Sequence, residues 1–427
     1  MKQKHIVVVD GLWVGHHPTY VKTFVKLLLD AGYRVSVLCP AQEEVSSWAK
    51  LTLSVDECRF KAHQFSEREP YLFRYMPRKI RHALLPLARW SQVSRSLKTL
   101  CSLSGKPDLV FFAWLDNYVG GYLPVVLIDW QFPFLWSGLY FHPNHLRILG
   151  TNGKPKEGRF ALPESFLARS KWASSVAVLD AGILKALRGR LHGKQAVVLP
   201  DFTDELPPSE HYHLAEEIRS KARGRKIIGL LGALARRKGL LTLIRIVRQS
   251  VERDWYFVFA GGLLEQTFSK DELTEVNSFF SMQREECLFH IDMIPDDAQF
   301  NAVVNVCDVI FAMYENFPHS SNLITKSAIY GKRVLVSTGG YMEEVVRDYE
   351  LGESVPAGDI QAALGALRRL TDWDRSVGTL SGMQEYAKKQ SLKSLQQILL
   401  NFVESSLDSS HANRNIATDL PSIKCNS

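Results

Sequence analysis

VIFAMYENFPHSSNLITKSAIYGKRVLVSTGG, running from Val309 to Gly340, decides the fold. It opens with a continuous apolar run, the pattern of a strand buried on both faces of a parallel sheet. A polar loop follows, in which Tyr314, Glu315, Asn316, Phe317 and Pro318 lead to His319, Ser320, Ser321 and Asn322. Ser320 or Ser321 is the expected N-cap of a helix through Leu323, Ile324, Ala328 and Tyr330, which Gly331 stops. Arg333 to Ser337 reads as the next strand, and Gly339-Gly340 opens the next turn. Ligands of such folds bind in loops at the carboxyl ends of the strands, where a helix start offers free N–H groups and partial positive charge to an anion. A phosphate-bearing ligand is the reading this implies. An ordinary, well-capped strand-to-helix connection is the alternative.

At 427 residues the chain exceeds one hydrophobic core and fits two domains of about 200 residues each. The six cysteines, Cys39, Cys58, Cys101, Cys287, Cys307 and Cys425, show no C-x-x-C and no metal-ligand spacing. They read as reduced thiols of a cytoplasmic protein. MKQKHIVVVD has lysines before an apolar run, but the run is too short for a signal peptide or a membrane span. No other window carries about 20 uncharged apolar residues, so no transmembrane helix is expected.

Formal net charge is +7, and the excess is concentrated. From Arg68 to Lys98 eight cations face Glu69 alone, with Tyr71, Leu72, Phe73, Tyr75, Ile80 and Trp90 among the interleaved apolar residues. Such a helix suits the anionic inner face of a membrane as a peripheral contact, or an acidic acceptor. It also suits a solvated helix whose apolar stripe packs on its own domain. No nucleic-acid-binding module is visible, and nucleic acid is not expected as a partner.

HIVVVD, His5 to Asp10, is a first strand ending in an acid. GLWVGHHPTY then leads into an amphipathic helix from about Thr19 to Asp30 and a second strand, RVSVLCP. Gly15 permits close backbone approach to a ligand, and His16 and His17 follow it at a helix start. KPDLVFFAW is another strand, after which Asp116 and Asn117 sit in a loop. The stretch ending at Asp129 also reads as a strand, and the aromatic run behind it is either a sugar or lipid platform or internal filling. Gly150 to Gly158 reads as an exposed, mobile loop. Two short strands, Ser174 to Asp180 and Ala196 to Glu205, precede a polar, proline-containing boundary.

The second half repeats this grammar, with strands at KIIGLLGAL, WYFVFAGG and ECLFHIDMIP before the opening stretch. The expected division is residues 1–205, 206–385, a C-terminal helix at 386–407 and disorder over 408–427, where composition turns polar and aperiodic. The fold class is α/β, with two Rossmann-like, doubly wound domains facing across a cleft.

This order of pieces resembles the retaining glycosyltransferases of the GT-B fold, the large family 4, over His5 to about Leu407. In that family the second domain opens with a strand and then G-R-x4-K-G, whose Arg and Lys grip the nucleoside diphosphate. Here the motif reads Gly232-Ala233-Leu234-Ala235-Arg236-Arg237-Lys238-Gly239. Lys238 matches, Ala233 stands at the arginine position, and Arg236 or Arg237 is the candidate replacement. Ile294 lies in the loop where the family packs the base. Family members also carry Glu-x7-Glu-Ala-x-Ala-x-Gly; counting back from Gly331 puts Lys326 and Pro318 at the two Glu positions. Glu315 lies three residues upstream of the first. The family's first-domain histidine falls near Asp129 and Trp130.

The resemblance implies sugar transfer from a nucleoside diphosphate sugar to a hydroxyl of a glycan, polysaccharide, lipid-linked or other acceptor, with retention. It assigns Gly15, Gly232, Arg236, Arg237, Lys238, Ile294, Ser320, Ser321, Asn322 and Lys326 to the donor, and His16, His17, Asp129 and Glu315 to catalysis. No metal or other cofactor is expected, because cationic side chains and the helix start would neutralise the diphosphate. The missing motif residues leave two other classes open, a non-catalytic binding relative and a sugar-nucleotide epimerase.

Overall fold

The computed structural model describes residues 3–53, 58–120, 123–149, 155–156, 162–252, 254–372 and 380–418. Most of the Gly150–Gly158 loop and the last nine residues lie outside these. The described chain forms two compact units. One holds the residues before Arg147, those up to Leu199 and the C-terminal helix from Gln396; the other holds a short hairpin and Pro200–Leu395. The division, between Leu199 and Pro200, thus falls six residues before the composition boundary between 205 and 206.

The first unit has seven strands in the order β3-β2-β1-β4-β5-β8-β9, all parallel. They are β1 (His5–Val9), β2 (Arg34–Cys39), β3 (Phe60–Gln64), β4 (Leu109–Phe112), β5 (Trp136–Leu139), β8 (Ala173–Val178) and β9 (Gln195–Val198). β6 (Ile148–Leu149) and β7 (Pro155–Lys156) form the antiparallel hairpin that goes with the second unit. The strand order turns around at β1 and β4, whose carboxyl ends are where such sheets hold ligands.

The stretch before Asp129 is a helix, Val125–Gln131, not a strand. Pro124 precedes its first turn, and the neighbouring strand comes later, at β5. Gly138 is required there, since a Cβ would lie 2.7 Å from the Phe112 carbonyl oxygen on β4. The aromatic run is mainly filling: Phe132, Phe134, Trp136 and Tyr140 are buried, while Trp130 is exposed.

The basic segment becomes a 3-10 turn, Tyr71–Tyr75, and a long helix, Arg78–Ser104. Its carboxyl-terminal half is anchored by Trp90, Val93, Leu97 and Leu100 in the core. Trp90 is ringed by Phe112, Tyr118, Phe132, Trp136 and Phe166 at centroid distances of 4.8–5.8 Å. Its indole N–H donates to the Tyr118 carbonyl at 2.9 Å. The C-terminal region divides into helices Leu380–Lys389 and Leu392–Thr418. The second runs past Asp408, where composition predicts disorder, because no Pro or Gly interrupts propagation. Its Leu399, Phe402 and Val403 are buried in the first unit.

The second unit has six parallel strands in the order β12-β11-β10-β13-β14-β15. They are β10 (Lys226–Leu231), β11 (Trp255–Ala260), β12 (Cys287–His290), β13 (Val309–Ala312), β14 (Arg333–Ser337) and β15 (Gly352–Val355). The opening stretch is therefore β13, helix Asn322–Ile329 and β14, beside β10 at the centre. Truncating Trp90 to alanine would empty the densest part of the first unit's core, at a cost of about 3–5 kcal/mol. Urea unfolding of Trp90→Ala should show a correspondingly lower midpoint, whereas Leu103→Ala, on the exposed end of the same helix, should leave it nearly unchanged.

Candidate functional site

In the second unit, glycine clears the backbone at the strand ends. Gly261, after β11, and Gly239 both have positive φ. An added Cβ would lie 2.0 Å from the Gly232 carbonyl oxygen at Gly261 and 2.4 Å from that of Met313 at Gly239. Gly232 is also at positive φ, with Lys238 Nζ 3.1 Å from where its Cβ would be. The turn Arg236–Lys238 is thereby pressed against the end of β13. Gly232, Ala233, Gly261, Gly262, Leu264, Met293, Ile294 and Phe300 line a cavity of about 140 Å³.

The three cations of the turn have different surroundings. Arg236 is committed: Nε donates to Glu272 at 2.8 Å and Nη1 to Glu315 at 3.2 Å. Glu315 also accepts from the Thr242 hydroxyl at 3.2 Å, and its N–H donates to the Arg237 carbonyl at 2.7 Å. This lattice fixes the loop after β13 to the turn after β10. Arg237 lies over the Phe317 ring at 4.7 Å, and Lys238 over the Tyr314 ring at 5.5 Å. Among the described residues no carboxylate pairs with Arg237 or Lys238.

Tyr314 links this turn to the helix start, its hydroxyl standing 3.3 Å from Ser321 Oγ. Ser321 is the N-cap of Asn322–Ile329 but makes no side-chain capping bond, and the first turn carries no acid. Ser320 is turned aside, donating to the Asp201 carboxylate. Lys326 does not serve an anion site. It is buried, ion-paired with Asp204, donates to Asn301 Oδ1 at 2.6 Å and lies 3.6 Å from the Asp297 carboxylate. The segment after β9 brings Asp204 to it, which a count of motif spacing does not reveal.

In the first unit, Asp10 at the end of β1 is buried and accepts the Leu12 N–H at 3.0 Å. His17 opens helix His17–Asp30 with Nδ1 2.8 Å from Asp10 Oδ2. Its ring stacks on Trp114 at 4.1 Å, and Trp114 stacks on Phe141 at 4.0 Å. Asp116, half-buried, accepts the N–H groups of Phe141 and His142 at 2.7 and 2.6 Å. Burial pushes Asp10 upward against its bond to His17, and lifts Asp116 to about 6 against its two backbone bonds. Glu67 is also raised by burial, opposed by Arg89 at 2.8 Å. Carboxylates perturbed together at strand ends make this cluster a candidate functional site.

Gly15 adopts φ +60°, and both it and His16 are exposed, so of the three loop residues only His17 enters this cluster. Asp129 lies elsewhere. It accepts from Ser170 Oγ and the Lys171 N–H, and its carbonyl accepts the Trp172 indole N–H at 3.0 Å. Those contacts brace the turn entering β8, at the amino ends of the strands, opposite to Asp10 and His17. Asp10, Trp114, Asp116, Thr242 and Glu272 are absent from the candidates named from sequence. Asp10 and Asp116 were legible as acids following apolar strands.

No protein-family model and no curated protein matches the chain. Solved structures do. HepE of Anabaena, in complex with UDP and glucose, has a TM-score of 0.63 at 14% identity, covering 94% of this chain and 100% of that one. A glycosyltransferase from Rickettsia africae gives 0.65 at 13% identity, covering 95% and 99%. Sucrose-phosphate synthase from Thermosynechococcus elongatus gives 0.57 at 17% identity, covering 98% and 100%. The fold is GT-B.

Desolvation of the Asp116 carboxyl ties the stability of the first unit to pH. A carboxyl held at about 6 in the folded chain keeps its proton over a range where the unfolded chain, near 3.8, has lost it. Its contribution is complete below about pH 4 and is lost as pH rises through 6, a change of about 3 kcal/mol. The unfolding free energy of the native chain relative to Asp116→Asn, from urea titrations, should therefore fall between pH 4 and pH 7. A flat or rising difference would place Asp116 in its ordinary range.

Proposed function

We propose that this chain is a glycosyltransferase that moves a sugar from a nucleoside diphosphate donor to an acceptor hydroxyl. The carrying observation is the pair Arg237 and Lys238, two cations without a carboxylate partner, held beside glycine-cleared strand ends and joined through Tyr314 to a helix start with no side-chain cap. A leaving diphosphate accumulates negative charge, and fixed cations with helix N–H groups stabilise it without reorganising. On this reading they supply the neutralisation, and no metal or other cofactor takes part. The adjacent cavity lined by Ile294 and Phe300 would take the base. UDP-sugars are the first candidates, because HepE, which shares the fold, has been solved with UDP and with UDP-glucose.

Glu315 has a double role in this proposal. Through Arg236 and Thr242 it holds the loop, and its remaining lone pairs can accept a sugar hydroxyl. Asn322 and Ser321 contribute at the helix start. The acceptor is a hydroxyl of a glycan, polysaccharide or lipid-linked molecule.

Binding calorimetry against UDP-, GDP-, ADP-, CMP- and dTDP-sugars tests the donor. At least one should bind, and Lys238→Ala should weaken it about ten- to hundredfold, the worth of a charged hydrogen bond. Unchanged affinity in Lys238→Ala would remove the diphosphate from this turn. Binding without turnover would instead describe a non-catalytic relative.

Stereochemistry has two readings. Resemblance to family 4 implies retention. The His17–Asp10 pair favours inversion: a carboxylate holding Nδ1 leaves Nε2 to take the acceptor proton, as direct displacement requires. His17→Ala should lower kcat about 100- to 10,000-fold with little change in donor affinity if His17 is that base. NMR of the first-formed anomer then separates the readings, an inverted product supporting the base and a retained one excluding single displacement.

A further inference from the structure

Trp90 accounts for the inner half of the long basic helix; its outer end is unaccounted for. From Pro70 to Lys106 the chain holds eight Lys and Arg residues and no Asp or Glu. The segment Tyr71–Ile80 is largely solvent-facing, with Leu72 71% and Tyr75 73% exposed alongside Tyr71 and Ile80. Arg74, Arg78 and Lys79 are exposed among them. Arg81 pairs with Glu69 at 2.7 Å, leaving that acid engaged.

The placement of these cations is unfavourable within the protein itself. Helix Arg78–Ser104 begins after Pro77, with no side-chain cap and no acid in its first turn. Arg78, Lys79 and Arg81 thus stand at the positive end of the helix dipole, where acids are the stabilising residues. Free N–H groups, the exposed cations Arg78 and Lys79, and bare aromatic side chains at one helix start are complementary to a surface of phosphate groups over an apolar layer. A second exposed apolar set lies on helix Val125–Gln131, which packs against the long helix through Gln131 Nε2 to Ser91 Oγ at 2.6 Å. There Val126 is 84% and Trp130 78% exposed. Tyr and Trp are the side chains that favour a membrane–water interface.

We infer that the surface formed by Tyr71–Arg81 docks the first unit onto an anionic lipid bilayer. No described helix is long and apolar enough to cross a membrane, so the contact is peripheral. Arg74, Arg78 and Lys79 meet the headgroups, and Leu72 and Tyr75 enter the interface. The inference does not depend on the transferase reading, since it uses no residue assigned to donor or acceptor.

The test is sedimentation of the full-length protein with vesicles of phosphatidylcholine alone and of phosphatidylcholine mixed with phosphatidylglycerol. Binding is expected only with phosphatidylglycerol, and weaker at high salt. Arg78→Gln with Lys79→Gln should weaken it roughly thirtyfold, from the usual worth of a cation at an anionic surface. Leu72→Ser with Tyr75→Ser should weaken it as well, while thermal unfolding and nucleotide binding of both variants stay as in the native chain. Absence of binding to the anionic vesicles overturns the inference. So does an unaltered affinity of the Leu72→Ser, Tyr75→Ser variant, particularly if heparin displaces the protein, because the surface would then bind soluble polyanions through charge alone.

Discussion

The contact on which the second unit's architecture depends is a backbone one: Gly261 against the Gly232 carbonyl, and Gly239 against that of Met313. Each is closer than any side chain permits. Because β10, β11 and β13 are adjacent and parallel, these approaches draw three loops into one small region. The lattice of Arg236, Glu272, Glu315 and Thr242 then fixes the geometry with charge-assisted bonds. Arg237 and Lys238 are left as cations on a rigid support, a form of preorganisation that costs nothing when an anion arrives.

Lys238 and Lys326 show how the same residue type serves opposite ends. Lys326 is buried beside Asp204 and Asn301, and its charge is spent in holding helix Asn322–Ile329 to the segment after β9. A lysine removed from water without such partners would lose its charge. Lys238 is only partly buried and rests on an aromatic face, which tolerates the charge without neutralising it. The first unit has a parallel contrast. Asp129 spends its hydrogen-bonding capacity on a turn at the amino ends of the strands, whereas Asp10 uses part of its own to orient a histidine at the carboxyl ends.

Much of this was legible from the chain. The apolar runs of β1, β10 and β13, each followed by glycine or polar residues, identify parallel strands and hence the end of the sheet that carries chemistry. Glycine spacing around Lys238 marks the cationic turn. What escaped are features set by tertiary pairing. Val125–Gln131 is as apolar as a strand, and only the later placement of β5 shows it to be a helix. The choice among Arg236, Arg237 and Lys326 is made by three carboxylates and one amide 25 to 122 residues away in sequence, which no local pattern encodes. The pairing of Asp10 with His17 needed the helix to turn its first residue inward.

The central claim is that the turn after β10 holds a nucleoside diphosphate during sugar transfer. Phosphorus NMR of a mixture of nucleotide sugars, recorded with and without the protein, addresses it most directly. Selective broadening of one donor's diphosphate resonances is expected, followed by slow appearance of the corresponding free nucleoside diphosphate. Spectra that remain sharp and unchanged for every donor would contradict it.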